Sequence, residues 1–152
     1  NFIKKNIIKN SKISNKVLNK KFNLFCMKKI NKLKVSIHLL KFFKKNFKSS
    51  YLYVSTATPH NTIVKILKTK KIYKYFKKVY GSPSTKVEHI NKIKKNKLKT
   101  FFIGDSKEDY ESSIKTKTIF ILREHSENKK YFQKNKIIKI SNLRNLEKII
   151  FN

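Results

Sequence analysis

Every glycine, proline and aspartate in this chain of 152 residues falls in one of three short stretches. Pro59 lies in V-S-T-A-T-P-H, Gly81 and Pro83 in G-S-P-S-T-K, and Gly104, Asp105 and Asp109 in F-F-I-G-D-S-K-E-D-Y. Glycine and proline end strands and open helices, so these stretches mark where the chain turns. Lysine thins in two of them: residues 51–60 hold none and residues 101–110 only Lys107, in a chain with 39 Lys+Arg. Those two stretches have resisted the lysine enrichment of the rest.

Around the turns, strands and helices alternate. Tyr51 to Val54 is β-prone. Thr58 reads as a helix N-cap with Pro59 in the first helical position, and the helix continues through Ile63, Ile66 and Leu67. Lys78 to Tyr80 reads as a strand closed by Gly81. Thr85 with Glu88 three residues on is a capping-box pattern for a helix to about Lys95. Thr100 to Ile103 reads as a buried strand, Ser106 to Ile114 as a helix, Thr118 to Leu122 and Lys136 to Ile140 as strands, and Leu143 to Ile150 as a closing helix. Ahead of these, residues 1–30 are basic and helix-compatible, with Phe22, Phe25 and Met27 as apolar anchors. Residues 36–47 carry Ile37, Leu40, Phe43 and Phe47 at helical spacing. Such alternation predicts an α/β fold, a Rossmann-like parallel sheet with helices on both faces.

The formal charge of +31 suggests a partner such as nucleic acid or an anionic membrane. Nearly all of it is lysine, however, with only Arg123 and Arg144 to supply the planar fork that base recognition favours. The abundance of Lys, Asn and Ile is what an AT-rich coding sequence produces. No specific nucleic-acid partner is therefore expected. The single Cys26 excludes an internal disulfide and fits the cytoplasm. No apolar run approaches the ~20 residues of a membrane span.

In open α/β sheets, ligands bind beyond the carboxyl ends of the strands, where all three stretches fall. Ser55, directly after the first strand, has a hydroxyl able to donate to a phosphate oxygen, with Thr56 beside it; a serine there is also a common turn former. Lys86 carries an ammonium that would neutralise phosphoryl charge, although a lysine in a first helical turn is more commonly a solvated one. Asp105 and Asp109 stand four apart at a strand-to-helix turn, a carboxylate pair suited to Mg²⁺. The second acid could also hold the lysine in place. The competing reading makes Asp105 a turn aspartate and Asp109 the N3 partner of a Ser106 N-cap.

Taken in order, strand-Ser55, Lys86 after G-S-P, and strand-G-D-x-x-x-D resemble motifs two, three and four of the haloacid dehalogenase-like (HAD) hydrolases, phosphatase branch. The resemblance covers roughly residues 34–125. It implies that Ser55 and Thr56 contact a phosphoryl group and that Lys86 stabilises its charge, Ser55 and Lys86 serving in catalysis. It implies that Asp105 binds Mg²⁺ and Asp109 supports the metal shell, with a small phosphorylated compound as substrate. It divides the chain into residues 1–33, the remnant of a helical cap, and residues 34–152, a HAD-like core. The expected reaction is phosphomonoester hydrolysis through an aspartyl-phosphate.

One motif is absent. The family's first motif is D-x-D at the end of a central strand, and this chain has no Asp or Glu before Glu88. An N-terminally truncated chain and a divergent relative without catalysis both account for that, and either way the chain as given is expected to be inactive. Without the motif-one strand, two neighbouring strands are expected to lack a partner. The alternative function is a catalytically dead, basic module holding RNA or membrane lipid non-specifically, favoured by 15 lysines and no acid in the first 50 residues.

Overall fold

A computed structural model describes residues 15–94, 98–144 and 146–151. The chain divides into two compact units, Asn1–Lys34 and Val35–Asn152. The described part of the first is a single helix, α1 (Asn15–Lys32). Residues 1–14 and the Phe22 side chain lie outside the described residues. Within α1, Leu24 and Phe25 are exposed, and the Lys29 ammonium sits 4.8 Å from the Phe25 ring centre, one turn on. Phe25 is thus an exposed aromatic rather than the apolar anchor its sequence suggests. No described helix is long and apolar enough to cross a membrane.

The second unit alternates helices and strands: α2 (Ile37–Asn46), β1 (Tyr53–Pro59), α3 (His60–Thr69), a 3-10 turn (Tyr73–Tyr75), β2 (Lys78–Ser82), α4 (Lys86–Lys94), β3 (Phe101–Gly104), α5 (Lys107–Lys115), β4 (Ile119–Arg123), α6 (Ser126–Lys129), β5 (Ile138–Ile140) and α7 (Leu146–Phe151). All strand pairs are parallel. Helices return the chain between them, as parallel pairing demands.

The core lies on both faces of the strands because side chains alternate along each one. Ile121 of β4, fully buried, joins Ile140, Phe42, Phe43, Leu67, Val79 and Leu146 in the larger cluster. Its neighbours Phe120 and Leu122 turn the other way, to Phe132 and Tyr110. Each such buried side chain stabilises the fold by about 1.5–3 kcal/mol. Val54 of β1 and Phe101 of β3 both rest on the larger cluster, so one core serves every strand.

The strands nevertheless form two ladders, β1-β2 and β3-β4-β5. No residue of β1 or β3 is buried, whereas the middle three residues of β4 all are. The α/β fold expected from the sequence is present, with its strands divided between two parallel ladders.

Several local expectations shift. The first strand begins at Tyr53 and runs on to Pro59, so Ser55 sits within it rather than after it. Regular pairing with β2 stops at Ser55↔Tyr80 and resumes, out of step, at Pro59↔Ser82. Pro59, not Thr58, is the cap residue of α3, with φ −52° and ψ 138°. Its fixed φ suits a helix entrance, but its extended ψ keeps it outside the helix. In α2 the buried face is Phe42, Phe43 and Asn46, while Ile37 and Phe47 are exposed. Asn46 can be buried because its side-chain amide donates to the Phe42 carbonyl at 3.0 Å. The last helix starts at Leu146, and the 3-10 turn and α6, unread in the sequence, complete the connections. Lys95, where α4 was expected to end, lies outside the described residues.

Gly81 explains one of the two glycines. A Cβ there would stand 2.5 Å from the Thr58 carbonyl oxygen and 2.7 Å from the His60 nitrogen. Both are backbone atoms, so β2 can approach the β1–α3 junction only at a residue without a side chain.

Candidate functional site

The strand-to-helix turn after β3 is built around one carboxylate. Ser106 caps α5, its hydroxyl oxygen accepting from the Asp109 N–H at 3.1 Å. In return Asp109 Oδ2 accepts from the N–H of Ser106 at 3.1 Å, the Ser106 hydroxyl at 2.7 Å and the N–H of Asp105 at 3.2 Å. These are the reciprocal bonds of a capping box, which satisfy donors that a helix start leaves over. Gly104 lets the carboxylate lie against the end of the strand: a Cβ there would meet Asp109 Cβ and Cγ at 2.5 Å. Gly104→Ala therefore pushes Asp109 off its position. Overpacking of this kind costs about 1–3 kcal/mol, to be read as a lower urea midpoint. An unchanged midpoint would mean that the turn yields freely.

Lys86 opens α4, whose start is held by a second reciprocal pair. The Thr85 N–H donates to Glu88 Oε2 at 3.0 Å and the Glu88 N–H to the Thr85 hydroxyl at 3.3 Å. From there the Lys86 ammonium reaches Asp109 Oδ1 at 2.7 Å and Glu108 Oε2 at 3.4 Å. The Lys86 and Asp109 side chains are only 11% and 9% exposed. Burial alone would favour both neutral forms. For Asp109 the Lys86 ammonium and the Ser106 donors outweigh it and hold the carboxyl below its ordinary value. For Lys86, burial is likewise overcome by Asp109 and then Glu108, which hold the ammonium above its own. The pair is charged at neutral pH.

Asp105 is different. Its side chain is 63% exposed, with His125 Nε2 at 4.0 Å, and none of the bonds that fill the Asp109 oxygens is made to it. Its carbonyl accepts from Asn128 Nδ2 at 2.8 Å. Asn128, buried, also donates to the Arg123 carbonyl at 3.0 Å, and its Oδ1 accepts from the His125 N–H at 2.8 Å. It fastens the turn after β3 to the turn after β4. Sequence reasoning missed Asn128; its one signal is a spacing of three after His125, at a helix start.

Ser55 meets a residue that sequence reasoning also missed. Its hydroxyl lies 2.9 Å from His89 Nδ1. His89 stands three residues after Lys86 on α4, near it on the helix surface. The helix thus holds β1 through His89 and α5 through Lys86. Thr56 is engaged locally, its hydroxyl donating to Thr58 Oγ1 and accepting from the Thr58 N–H, both at 3.2 Å.

Mg²⁺ keeps several waters and needs one or two protein carboxylates beside phosphate oxygens. The open Asp105 carboxylate fits that demand. Asp109, its oxygens occupied, fits as the group that holds Lys86 and the turn. Among the described residues no group of three or more His, Cys, Asp or Glu could hold a metal. A hollow of about 320 Å³, lined in part by Lys117, Phe120, Lys136 and Ile138, lies at the opposite, N-terminal ends of β4 and β5.

No family model and no curated protein matches this sequence. Solved structures do match its fold. A haloacid dehalogenase-like family hydrolase from Streptococcus pneumoniae superposes with a TM-score of 0.68 at 17% identity, covering 91% of this chain and 72% of that one. A protein described as a phosphatase, from Clostridium difficile, gives 0.73 at 20% identity, over 98% of this chain and 75% of its own. A HAD-superfamily hydrolase from Ehrlichia chaffeensis gives 0.58 at 19% identity, over 93% and 80%. At such identities the likeness is one of fold. This chain carries the fold of the haloacid dehalogenase-like hydrolases.

Proposed function

We propose that this chain is the phosphate-handling part of a HAD-like phosphomonoester hydrolase. The observation that carries the reading is the meeting of Lys86 and the Asp105 backbone on the single Asp109 carboxylate, beside the open Asp105 side chain. In this reading the Lys86 ammonium faces phosphoryl oxygens with its position held by Asp109. Ser55 donates its hydroxyl to the same group, and Thr56 stands beside it. Asp105 would hold Mg²⁺, which when bound withdraws charge from the phosphoryl oxygens. The substrate is a small phosphorylated compound, and the lone Cys26 suits a reducing cytoplasm. The division of the strands into two ladders, β1-β2 and β3-β4-β5, agrees with a fold whose central strand carries the nucleophile.

The attacking aspartate of such a reaction has no counterpart here, since no acid precedes Glu88. The 152-residue chain is accordingly expected to give no turnover of a generic phosphomonoester with Mg²⁺. It is expected to bind inorganic phosphate, more tightly with Mg²⁺ than without. Asp105→Asn, at an exposed position, should keep the fold by circular dichroism and lose the Mg²⁺ effect. Titration calorimetry reads both results. Turnover that vanishes in Asp105→Asn would mean that another residue attacks phosphorus, and phosphate binding indifferent to Mg²⁺ would remove the metal assignment.

A second reading, a basic module without catalysis that holds RNA or lipid, draws on the +31 charge. Lysine-driven contacts of that kind are electrostatic and carry little sequence preference.

A further inference from the structure

We propose that His89 is a positioning residue that turns the Ser55 hydroxyl proton outward, toward a bound oxyanion. The inference rests on the reading above that Ser55 faces a phosphoryl group, and it adds a residue that neither the motifs nor the fold assigns.

His89 is 1% exposed. Its ring stacks on Tyr80 at 5.2 Å between centres and 25° between planes. Nδ1 lies 2.9 Å from Ser55 Oγ. Nε2 is buried with no hydrogen-bond partner. Those contacts decide between the two neutral forms of the imidazole. With the proton on Nε2, a buried N–H would lack an acceptor, and Ser55 would have to spend its own proton on Nδ1. Its lone pairs would then face the anion. With the proton on Nδ1, the N–H has Ser55 Oγ as its acceptor, and only a lone pair at Nε2 goes unused. Orphaned buried N–H groups are rarer than under-used acceptors. The Nδ1–H form is therefore the favoured one, and in it Ser55 accepts from the ring and donates outward.

The doubly protonated ring is disfavoured. Burial and then Lys92 lower the His89 pKa, against opposing influences from Gly81 and Glu88, with Lys86 adding to the depression. The charged groups around the ring are thus Lys86, Glu88 and Lys92, and their balance with burial keeps it neutral at physiological pH. His89 then works as a fixed donor.

The test has two parts. Nitrogen-15 NMR of the His89 ring reports which nitrogen carries the proton, and calorimetry with inorganic phosphate and Mg²⁺ reports affinity. The expected ring has the proton on Nδ1. His89→Phe keeps the flat ring on Tyr80 but loses the donor, and should weaken phosphate by about tenfold to a hundredfold, as expected for a hydrogen bond to a charged group. Ser55→Ala should weaken it equally, and the double variant no further. His89→Asn, whose amide can present an N–H near the place of Nδ1, should recover part of the loss. A proton on Nε2, or His89→Phe binding phosphate like the wild type, would overturn the inference and leave the site reading intact. A wild-type chain that binds no phosphate at all would overturn both.

Discussion

Between 50 and 200 mM salt, the affinity of this chain for DNA or RNA falls by about 10³–10⁵-fold if six to ten lysines contact phosphates, because each contact releases condensed counterions. The charge of +31 supplies the contacts. It does not supply base recognition. Of the two arginines, Arg123 donates its guanidinium to the Glu124 carbonyl, which leaves the exposed Arg144 as the open fork. Titrations against several unrelated oligomers at the two salt concentrations should give curves that move together. A single sequence that stays bound at high salt would require a surface built for base edges. It would raise the binding-module reading above the hydrolase.

The second large effect is on stability. Asp109→Ala is expected to lower the unfolding free energy by about 3–5 kcal/mol, the usual result of breaking a buried ion pair from one side. It leaves the Lys86 ammonium only the longer contact to Glu108 at 3.4 Å and also deprives the Asp105 and Ser106 N–H groups of their acceptor. Lys86→Met is expected to cost less, about 1–3 kcal/mol. The Asp109 carboxylate would still accept from two backbone N–H groups and the Ser106 hydroxyl. Urea unfolding of both variants at neutral pH gives the comparison. Equal losses would mean that the ion pair, and not the turn, dominates. The pH dependence has a definite sign. Asp109 titrates below its ordinary 3.8 in the folded chain, so its contribution is complete above 3.8 and lost as pH falls through the folded value. Lys86 titrates above its ordinary 10.5, so its contribution is complete below 10.5 and lost as pH rises through the folded value. Between those limits the pair contributes a plateau, which Asp109→Ala should flatten at the acid end.

What could be read from the sequence was local. The capping boxes of Thr85 with Glu88 and Ser106 with Asp109 involve residues three apart, so spacing alone specifies them. The rare Gly, Pro and Asp residues marked the turns for the same reason, and apolar runs such as Phe101 to Gly104 marked the strands. The two readings of Asp109, capping partner and lysine holder, both describe the structure, since one oxygen serves each.

The rest depended on packing between segments far apart in the chain. Boundaries near Tyr51, Thr58 and Leu143 moved because cross-strand pairing and helix geometry, not propensity, set where an element starts. The exposure of Ile37 and Phe47 follows from which side of α2 meets the core, which a helical repeat does not specify. Ser55 and His89 are 34 residues apart. Nothing in either neighbourhood announces that they meet, and a histidine inside a lysine-rich helix has no local signal at all. Only the seating of α4 between β1 and α5 brings His89 to Ser55 and Lys86 to Asp109, and the burial that follows is what gives these contacts their strength.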